Sequence, residues 1–442
     1  MARYAKASEL LGQVLQASGP ADGVVDRYFK AHRNMGSTDR RFAGGVVYGC
    51  LRRQRELLAM AQCLAPATDL SELGDAGLLT GLYLMTADGW LPGDFEHTNF
   101  AAFAAAHGHA IKHFDRSRLS PAEQLNLPDW LYLSLLHQLP SAEVDALAAA
   151  LDEPASVDLR VNLRQCTREQ LAAALAEQGL DTLPTPLASA GLRRAVRGPL
   201  QNTPAFKAGW FEFQDEGSQL IGWLLQPQAG EFIVDYCAGA GGKTLQIADM
   251  MADRGSILAC DVAPRRLAQL APRLQRAMAK IVTTRVLQLE VEDDLLDYAV
   301  TADAVLVDAP CSGSGTLRRA PDLRWRPVVL DELRETQTQV LAAASRLVKA
   351  GGRLVYATCS LLAEENQQVV DAFLSRHPDF VRCPLPHMAD DPTCLALARQ
   401  DPDLLAHLQR TGELQLWPHR HNTDGFFAQI LRRMPRSGQA DG

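Results

Sequence analysis

The stretch FIVDYCAGAGGKT, residues Phe232 to Thr244, is an apolar run that leads directly into a glycine-rich turn. Such a run predicts a buried strand, and the residues after the turn predict the start of a helix. Glycines allow a tight turn and a close approach of the backbone to a ligand, while the first turn of a helix offers free amide groups. The stretch therefore predicts a nucleotide-type binding loop in an α/β domain.

The spacing of the glycines distinguishes between the kinds of nucleotide-type binding loop that this stretch could form. A phosphate-binding P-loop needs a glycine five positions before Gly242, where this chain has Cys237. A dinucleotide fingerprint begins at Gly239 and Gly241 but meets Thr244 where its last glycine should be. The alternative is a site for S-adenosylmethionine, which needs no phosphate cradle but does need a carboxylate for the ribose hydroxyls.

That carboxylate is predicted at the end of the next strand. Asp261, in the segment ILACDV, follows Gly241 by about 20 residues, the spacing that α/β nucleotide sites use. Further apolar segments, SILACDV, ADAVLVDAPC, GGRLVYATCS and GFFAQILRR, alternate with amphipathic ones. This alternation predicts a parallel sheet covered on both faces, with ligands beyond the carboxyl ends of the strands.

The fold class is accordingly α/β, with a doubly wound Rossmann-like sheet as the catalytic domain. At 442 residues the chain is long enough for two or three domains. Helical periodicity predicts an all-α domain before the sheet, and a mixture of short strands and helices predicts a small α+β connector. The predicted boundaries are 1–145 for the helical domain, 146–205 for the connector, 206–435 for the catalytic domain and 436–442 for a disordered tail.

Composition excludes several classes of protein. Nine scattered cysteines without a C-x-x-C pair argue against a disulfide framework and a zinc site, and they favour a reducing cytoplasm. No segment has the length of a membrane span, and the chain begins without a signal-peptide pattern. A net charge of −8 counts against a nonspecific nucleic-acid binder. We therefore expect a cytoplasmic protein with no metal and no membrane partner. The sequence does not determine the oligomeric state, and among the possible states we favour a monomer.

Two further strand ends carry cysteine, in DAPCS at 308–312 and ATCS at 357–360. Two thiols beside a methyl donor suit methylation of pyrimidine carbon 5, because a thiolate that adds to carbon 6 makes carbon 5 nucleophilic. A base must later remove the carbon 5 proton so that the thiol can leave. Two alternatives remain at this point. An amino-group methyltransferase typically presents an aromatic residue at this strand end, and a nonenzymatic RNA-binding or assembly factor would not need both cysteines.

The chain resembles a known family at four ordered motifs: DYCAGAGGKT, DAPCSGSGTLRRAPDLRW, LVYATCSLLAEEN and PHRHNTDGFF. They are similar to the motifs of the Sun/Fmu, or RsmB-type, S-adenosylmethionine-dependent RNA cytosine carbon-5 methyltransferases. The resemblance covers about residues 205–435. More loosely, the segment STDRRFAGGVVYGCLRR is similar to the NusB-like RNA-binding domain of many members.

The resemblance implies a role for each motif residue. Cys359 would be the nucleophile, Cys311 would promote release of the product, Asp308 would contact both the cytosine ring and the cofactor, and Lys243 would lie close to the base. The implied partner is RNA: the resemblance favours ribosomal RNA of the small subunit, with transfer RNA as the second candidate. The implied cofactor ligands are Cys237, Ala238, Gly239, Ala240, Gly241, Gly242, Lys243, Asp261, Arg266 and Asp308.

Three further predictions concern the acidic residue near the adenine, the arginines after Cys311 and the helical domain. The family usually places an acidic residue near the adenine after the third strand; here Glu290 or Asp293 would substitute. The arginines after Cys311 are candidates for phosphate contacts, which position a nucleic acid without reading its sequence; they are Arg318, Arg319, Arg324 and Arg326. Since every motif with reactive groups follows residue 231, residues 1–145 are expected to position RNA and to take no part in the chemistry.

Overall fold

The computed structural model describes residues 2–66, 73–194, 198–288 and 295–435. The predicted disordered tail, 436–442, lies outside the described residues. The chain divides into two compact units: Met1–Glu153 with Thr316–Pro327, and Pro154–Gly315 with Val328–Gly442. No helix among the described residues is long and apolar enough to cross a membrane.

The first unit is helical, as the sequence predicts. Its core is built on the long helix α3, in which Val46, Cys50 and Leu57 recur at helical spacing and are buried. Ser141, which could cap a helix, instead lies inside α8, and Pro140 occupies the cap position. The α-helices are α1 Ala2–Gln16, α2 Ala21–Ala31, α3 Ser37–Leu64, α4 Gly74–Ala87, α5 Ala101–Lys112, α6 Pro121–Gln124, α7 Asp129–Leu136 and α8 Ser141–Asp152.

The second unit begins with a small α+β region. Its antiparallel sheet has the strand order β2-β3-β1-β4. Thr167 caps the helix α9 by accepting a hydrogen bond from the Gln170 amide, and Gln170 bonds back to the Thr167 amide. The elements are β1 Val157–Val161, α9 Arg168–Ala176, β2 Leu183–Pro184, β3 Gly191–Arg194, α10 Pro204–Lys207 and β4 Phe211–Phe213.

The rest of the second unit is a Rossmann-like α/β fold around a larger sheet of order β10-β12-β9-β8-β5-β6-β7, with β11 paired to β12. The strands are β5 Phe232–Asp235, β6 Ser256–Asp261, β7 Val282–Val286, β8 Ala302–Asp308, β9 Val348–Thr358, β10 Phe380–Arg382, β11 Glu413–Leu416 and β12 Phe426–Arg433. The helices are α11 Glu216–Leu224, α12 Gly242–Met250, α13 Pro264–Leu267, α14 Leu270–Ala277, α15 Leu330–Ser345, α16 Gln367–Arg376, α17 Pro392–Gln400, α18 Pro402–Thr411 and α19 Pro418–His421.

The order of the parallel strands locates the ligand crevice. From β5 the chain proceeds outward through β6 and β7, and then returns to the other side of β5 for β8 and β9. Strand order therefore reverses at β5. In open α/β sheets the ligand lies beyond the carboxyl ends of the strands at such a reversal. The glycine loop after β5 and the cysteine segments after β8 and β9 all lie at this edge.

The last strand differs from the sequence prediction. The alternation predicts a parallel sheet, but β12 runs antiparallel to β9, with Phe427 opposite Thr358. A parallel connection needs a crossover of a dozen or more residues, whereas β11 and β12 are joined by nine residues that include only the short helix α19. As a consequence β12 begins at the edge where β9 ends, which places Phe426 beside the crevice.

Candidate active site

The loop after β5 has a left-handed backbone at two positions, a conformation that favours glycine. Gly239 and Gly241 have φ of 56° and 82°, and Gly241 is the residue before helix α12. A Cβ atom at Gly241 would approach the Leu270 side chain to 2.1 Å. Asp261, at the end of β6, fixes this loop, because its carboxylate accepts hydrogen bonds from the amides of Gly239 at 2.8 Å and Ala263 at 2.7 Å.

The same loop has an unused buried acceptor and a basic neighbour. Asp235 accepts a hydrogen bond from the Thr244 hydroxyl at 2.6 Å through one oxygen, while its other oxygen has no partner among the described residues. The Arg266 guanidinium lies so near Gly239 that an added Cβ atom would be 2.7 Å from it. A glycine-rich loop backbone, an unused acceptor and a guanidinium together fit a ligand that carries both donor and acceptor groups.

Beyond β8 and β9 the two cysteines meet. The Sγ atoms of Cys311 and Cys359 are 3.3 Å apart, and both residues are free thiols that are only partly buried. Lys243, from the first turn of α12, donates to the Asp308 carboxylate at 2.7 Å. Its Nζ atom also lies 5.7 Å from the centre of the Phe426 ring. The structure thus brings together all four residues that the sequence predicts to be catalytic.

Electrostatics distinguish the groups of this cluster. Burial by itself lowers the pKa of Lys243, but the Asp308 carboxylate more than offsets this, so the pKa is raised and the side chain stays cationic. The hydrogen bond to Cys359, together with burial, raises the pKa of Cys311. Burial and the nearby Asp308 carboxylate raise the pKa of Cys237 as well. Cys237 and Cys311 are therefore neutral thiols at physiological pH.

One buried carboxylate of the site is missed by sequence reasoning. Glu365, fully buried, accepts hydrogen bonds from the Ser312 amide at 2.8 Å and from the Ser312 hydroxyl at 2.5 Å. It also accepts from the hydroxyl of Ser360 and from the side chain of Gln337. Only its place in the segment AEEN, next to the identical Glu364, marks it in the sequence.

Two of the predicted arginines do not join the site. Arg318 and Arg324 are buried, so their prediction as phosphate contacts is wrong. Arg324 donates instead to the Asp152 carboxylate at 2.5 Å and to the Arg52 carbonyl at 3.0 Å, inside the helical unit. The predicted acidic substitutes, Glu290 or Asp293, lie outside the described residues. Within the described part of the chain, no group of three or more potential ligands is arranged to hold a metal ion.

Comparison with known proteins identifies the family. The family model for the 16S rRNA methyltransferase RsmB/F matches residues 222–432, and a ferredoxin-like domain of RsmF/B-like methyltransferases matches residues 127–200. The probable ribosomal RNA small subunit methyltransferase B of Synechocystis sp. is 32% identical over 459 residues, which cover 96% of this chain and 98% of the relative. The chain belongs to the RsmB/F family of RNA methyltransferases.

Other relatives agree with this assignment. The probable ribosomal RNA small subunit methyltransferase B of Bacillus subtilis is 30% identical over 71% of this chain and 67% of the relative. The crystal structure of PH0851 superposes with a TM-score of 0.77 at 26% identity, over 98% of both chains. The predicted family and the Rossmann-like fold preceded by a helical region are therefore confirmed.

Proposed function

We propose that this protein uses S-adenosylmethionine to methylate carbon 5 of a cytosine in small-subunit ribosomal RNA, through a covalent adduct at Cys359. The observation that carries the proposal is the pair of free thiols, 3.3 Å apart, beside the Lys243–Asp308 ion pair. An amino-group methyltransferase has no use for two thiols at this edge of the sheet, whereas carbon 5 chemistry needs a sulfur nucleophile.

The residues around the glycine loop fit the cofactor. The backbone from Cys237 to Gly242 would receive it, with Asp261 available to its ribose hydroxyls and the free oxygen of Asp235 available to its amino group. Arg266, whose guanidinium lies close to Gly239, would be a further ligand of the cofactor. When bound there, S-adenosylmethionine supplies an electrophilic methyl group.

Cys359 is assigned as the nucleophile. Its negative charge as a thiolate is compensated by the Lys243 cation, since the two groups interact electrostatically, and by a hydrogen bond from the Cys311 S–H. The thiolate forms a bond to carbon 6 and pushes the electron pair of the 5,6 double bond onto carbon 5. Asp308, held by Lys243, would contact the ring of the base.

Cys311 is assigned to product release. After methylation, a general base takes the carbon 5 proton, the electron pair of the carbon–hydrogen bond restores the ring double bond, and the Cys359 thiolate leaves carbon 6. Cys311 keeps its proton because its pKa is raised, so its S–H can stabilise the departing thiolate across 3.3 Å. The two sulfurs thus have different tasks, although they belong to similar segments of neighbouring strands.

Alanine substitutions separate these tasks. Cys359→Ala should abolish methyl transfer and leave cofactor affinity nearly unchanged, because only the covalent step is lost. Cys311→Ala should still attack and methylate, but should accumulate a protein–RNA adduct that survives denaturing electrophoresis and carries label from the methyl donor. The double variant should form no adduct. Cys383→Ala, a half-buried cysteine outside the site, is the control.

The assignment has clear failure conditions. An adduct that accumulates with Cys359→Ala but not with Cys311→Ala would exchange the two roles. Wild-type rates in both single variants would exclude covalent catalysis. For the substrate, mapping of 5-methylcytosine in RNA from a deletion strain against the parent should show one position lost in small-subunit ribosomal RNA. A loss confined to transfer RNA would contradict that part of the proposal.

A further inference from the structure

A buried side chain bridges the two cysteine segments, in addition to direct bonds from the Gly315 amide to the Cys359 carbonyl and from the Leu361 amide to the Ser314 hydroxyl, both 2.9 Å long. Glu365 lies in the segment between β9 and α16, six residues after Cys359, and its side chain is inaccessible to solvent. One carboxylate oxygen accepts from the Ser312 amide and from Gln337 Nε2, at 2.8 and 3.0 Å. The other accepts from the hydroxyls of Ser312 and Ser360. Four hydrogen bonds therefore converge on one carboxylate.

These bonds connect the residues next to the two thiols. Ser312 follows Cys311 directly, and Ser360 follows Cys359 directly. Gln337, on α15, extends the connection by donating to the Pro310 carbonyl at 2.9 Å, on the other side of Cys311. The backbone of the Glu365 segment is fixed in turn, because the Tyr356 hydroxyl donates to the Glu365 carbonyl at 2.7 Å. The Glu365 carboxylate is therefore bonded to the residue that follows each of the two cysteines.

We propose that Glu365 is a positioning residue that sets the distance and orientation of Cys311 and Cys359 for methyl transfer. The inference builds on the proposed covalent function but concerns geometry that exists without RNA or cofactor. A buried carboxylate is costly unless its lone pairs are satisfied. All of the hydrogen bonds of the Glu365 carboxylate go to the two cysteine segments and to helix α15. Stabilising only the turn that contains Glu365 would not require bonds to all three.

The length of the side chain is central to this role. Aspartate is one methylene shorter, so its carboxylate cannot reach Ser312 and Ser360 together. Glutamine keeps the length: its oxygen can accept from the Ser312 amide, and its amide nitrogen can donate to hydroxyls, which act as acceptors as well as donors. If Glu365 acts by positioning, glutamine should replace it better than aspartate does. If it acts only through its negative charge, aspartate should replace it better than glutamine does.

The positioning test uses cross-linking of the two thiols in the full chain without RNA. Diamide takes one proton and one electron from each of Cys311 and Cys359, which join in an S–S bond while the reagent is reduced to its hydrazine. Mass spectrometry of the linked peptides gives the rate. We expect Glu365→Ala and Glu365→Asp to cross-link about tenfold more slowly than wild type, since small misplacements have large effects on such rates. Glu365→Gln should stay within about threefold, because it keeps most of the hydrogen bonds.

Glu216→Gln is the matched control. Glu216 is also fully buried and accepts hydrogen bonds from backbone amides and from Arg193, but it lies at the start of α11, outside the site. It should cross-link at the wild-type rate. In the parallel assay, kcat for methyl transfer should fall about a hundredfold with Glu365→Asp, while KM for the methyl donor is unchanged.

The possible results distinguish a failure of the positioning role of Glu365 from a failure of the proposed methyltransferase function. Wild-type cross-linking in folded Glu365→Ala and Glu365→Asp would overturn the positioning role, and so would slow cross-linking combined with wild-type methyl transfer. If the alanine variant does not fold, equal cross-linking rates in the aspartate and glutamine variants would overturn it. If the wild-type protein methylates no RNA while the cross-linking order holds, the proposed function fails and the structural role of Glu365 stands.

Discussion

At the scale of single residues, the buried carboxyl of Asp235 lowers the stability of the folded protein near neutral pH. Burial raises the pKa of this carboxyl from 3.8 to about 7, and the nearby Asp308 and Asp261 charges add to the effect, while Thr244 and Lys243 oppose it. Below about pH 4 the carboxyl is protonated in both folded and unfolded chains. Between about pH 4 and pH 7 the unfolded chain loses this proton first, so folding is progressively disfavoured, by ~4 kcal/mol in total.

Asp235→Asn should therefore become stabilising relative to wild type as the pH rises from about 4 to about 7, because an amide has no proton to lose. Melting temperatures of the cofactor-free proteins across this range measure the effect. Asp158→Asn is a control of opposite sign: burial alone raises the pKa of Asp158, but Arg193 more than offsets this and lowers it. That variant should be less stable than wild type above about pH 4. A constant difference between Asp235→Asn and wild type at every pH would contradict the assignment.

At the scale of elements, the sequence predicts what is local and periodic. The strands and helices around the glycine loop follow from apolar runs and spacing, and the positions of Cys311 and Cys359 follow from their strands. The antiparallel direction of β12 cannot be predicted from apolar runs and spacing, because it depends on the short connection from β11, whose helix α19 has only four residues. The role of Glu365 does not follow either, since Glu364 beside it is chemically identical and only the folded chain decides which carboxylate faces Ser312.

A second feature at this scale links the connector sheet to the cofactor loop. Arg273, on α14, donates to the Ala240 carbonyl at 2.5 Å and to the Glu212 carboxylate at 3.0 Å. Glu212 lies on β4 and is buried. The position of the loop backbone therefore depends on an ion pair with a strand of the connector sheet. Arg276 pairs with the same carboxylate and packs on the Phe206 ring, at 4.1 Å from its centre.

This pair of arginines makes a controlled test. Arg273→Met should weaken binding of S-adenosylmethionine about tenfold, equivalent to ~1.4 kcal/mol, because a charged hydrogen bond that fixes the loop is lost. Arg276→Met removes a cation from the same carboxylate without touching the loop, so its affinity should stay within about twofold of wild type. Titration calorimetry without RNA measures both. Equal losses in the two variants would show that the charge of Glu212, and not the loop contact, controls affinity.

At the scale of the whole molecule, the helical unit is discontinuous in sequence. It takes in residues Thr316–Pro327, which directly follow the Cys311 segment of the other unit. Within it, Trp325 donates to the Leu51 carbonyl at 2.6 Å and Arg324 is held by the Asp152 carboxylate. A fragment starting near Ser156 would therefore leave these side chains without their partners. Such a fragment is a poor test of whether residues 1–145 only position RNA.

A single substitution tests this insertion with the chain complete. The Arg324 side chain is inaccessible to solvent and also donates to the Arg52 carbonyl, whereas Arg326 is more exposed and pairs only locally with Asp322. Arg324→Met should lower the free energy of unfolding of the helical unit by about 2 kcal/mol, because it removes the charged hydrogen bond to Asp152, whose side chain is about one third exposed. Arg326→Met should cost less than about 1 kcal/mol. Urea unfolding followed by tryptophan fluorescence measures both losses. Adding Asp152→Leu to Arg324→Met should recover part of the lost stability, because the double variant no longer has an unpaired carboxylate at position 152. Equal, small losses of stability in the two single variants would mean that residues Thr316–Pro327 are not anchored through Arg324. A fragment starting near Ser156 would then be a valid test of the role of the helical unit.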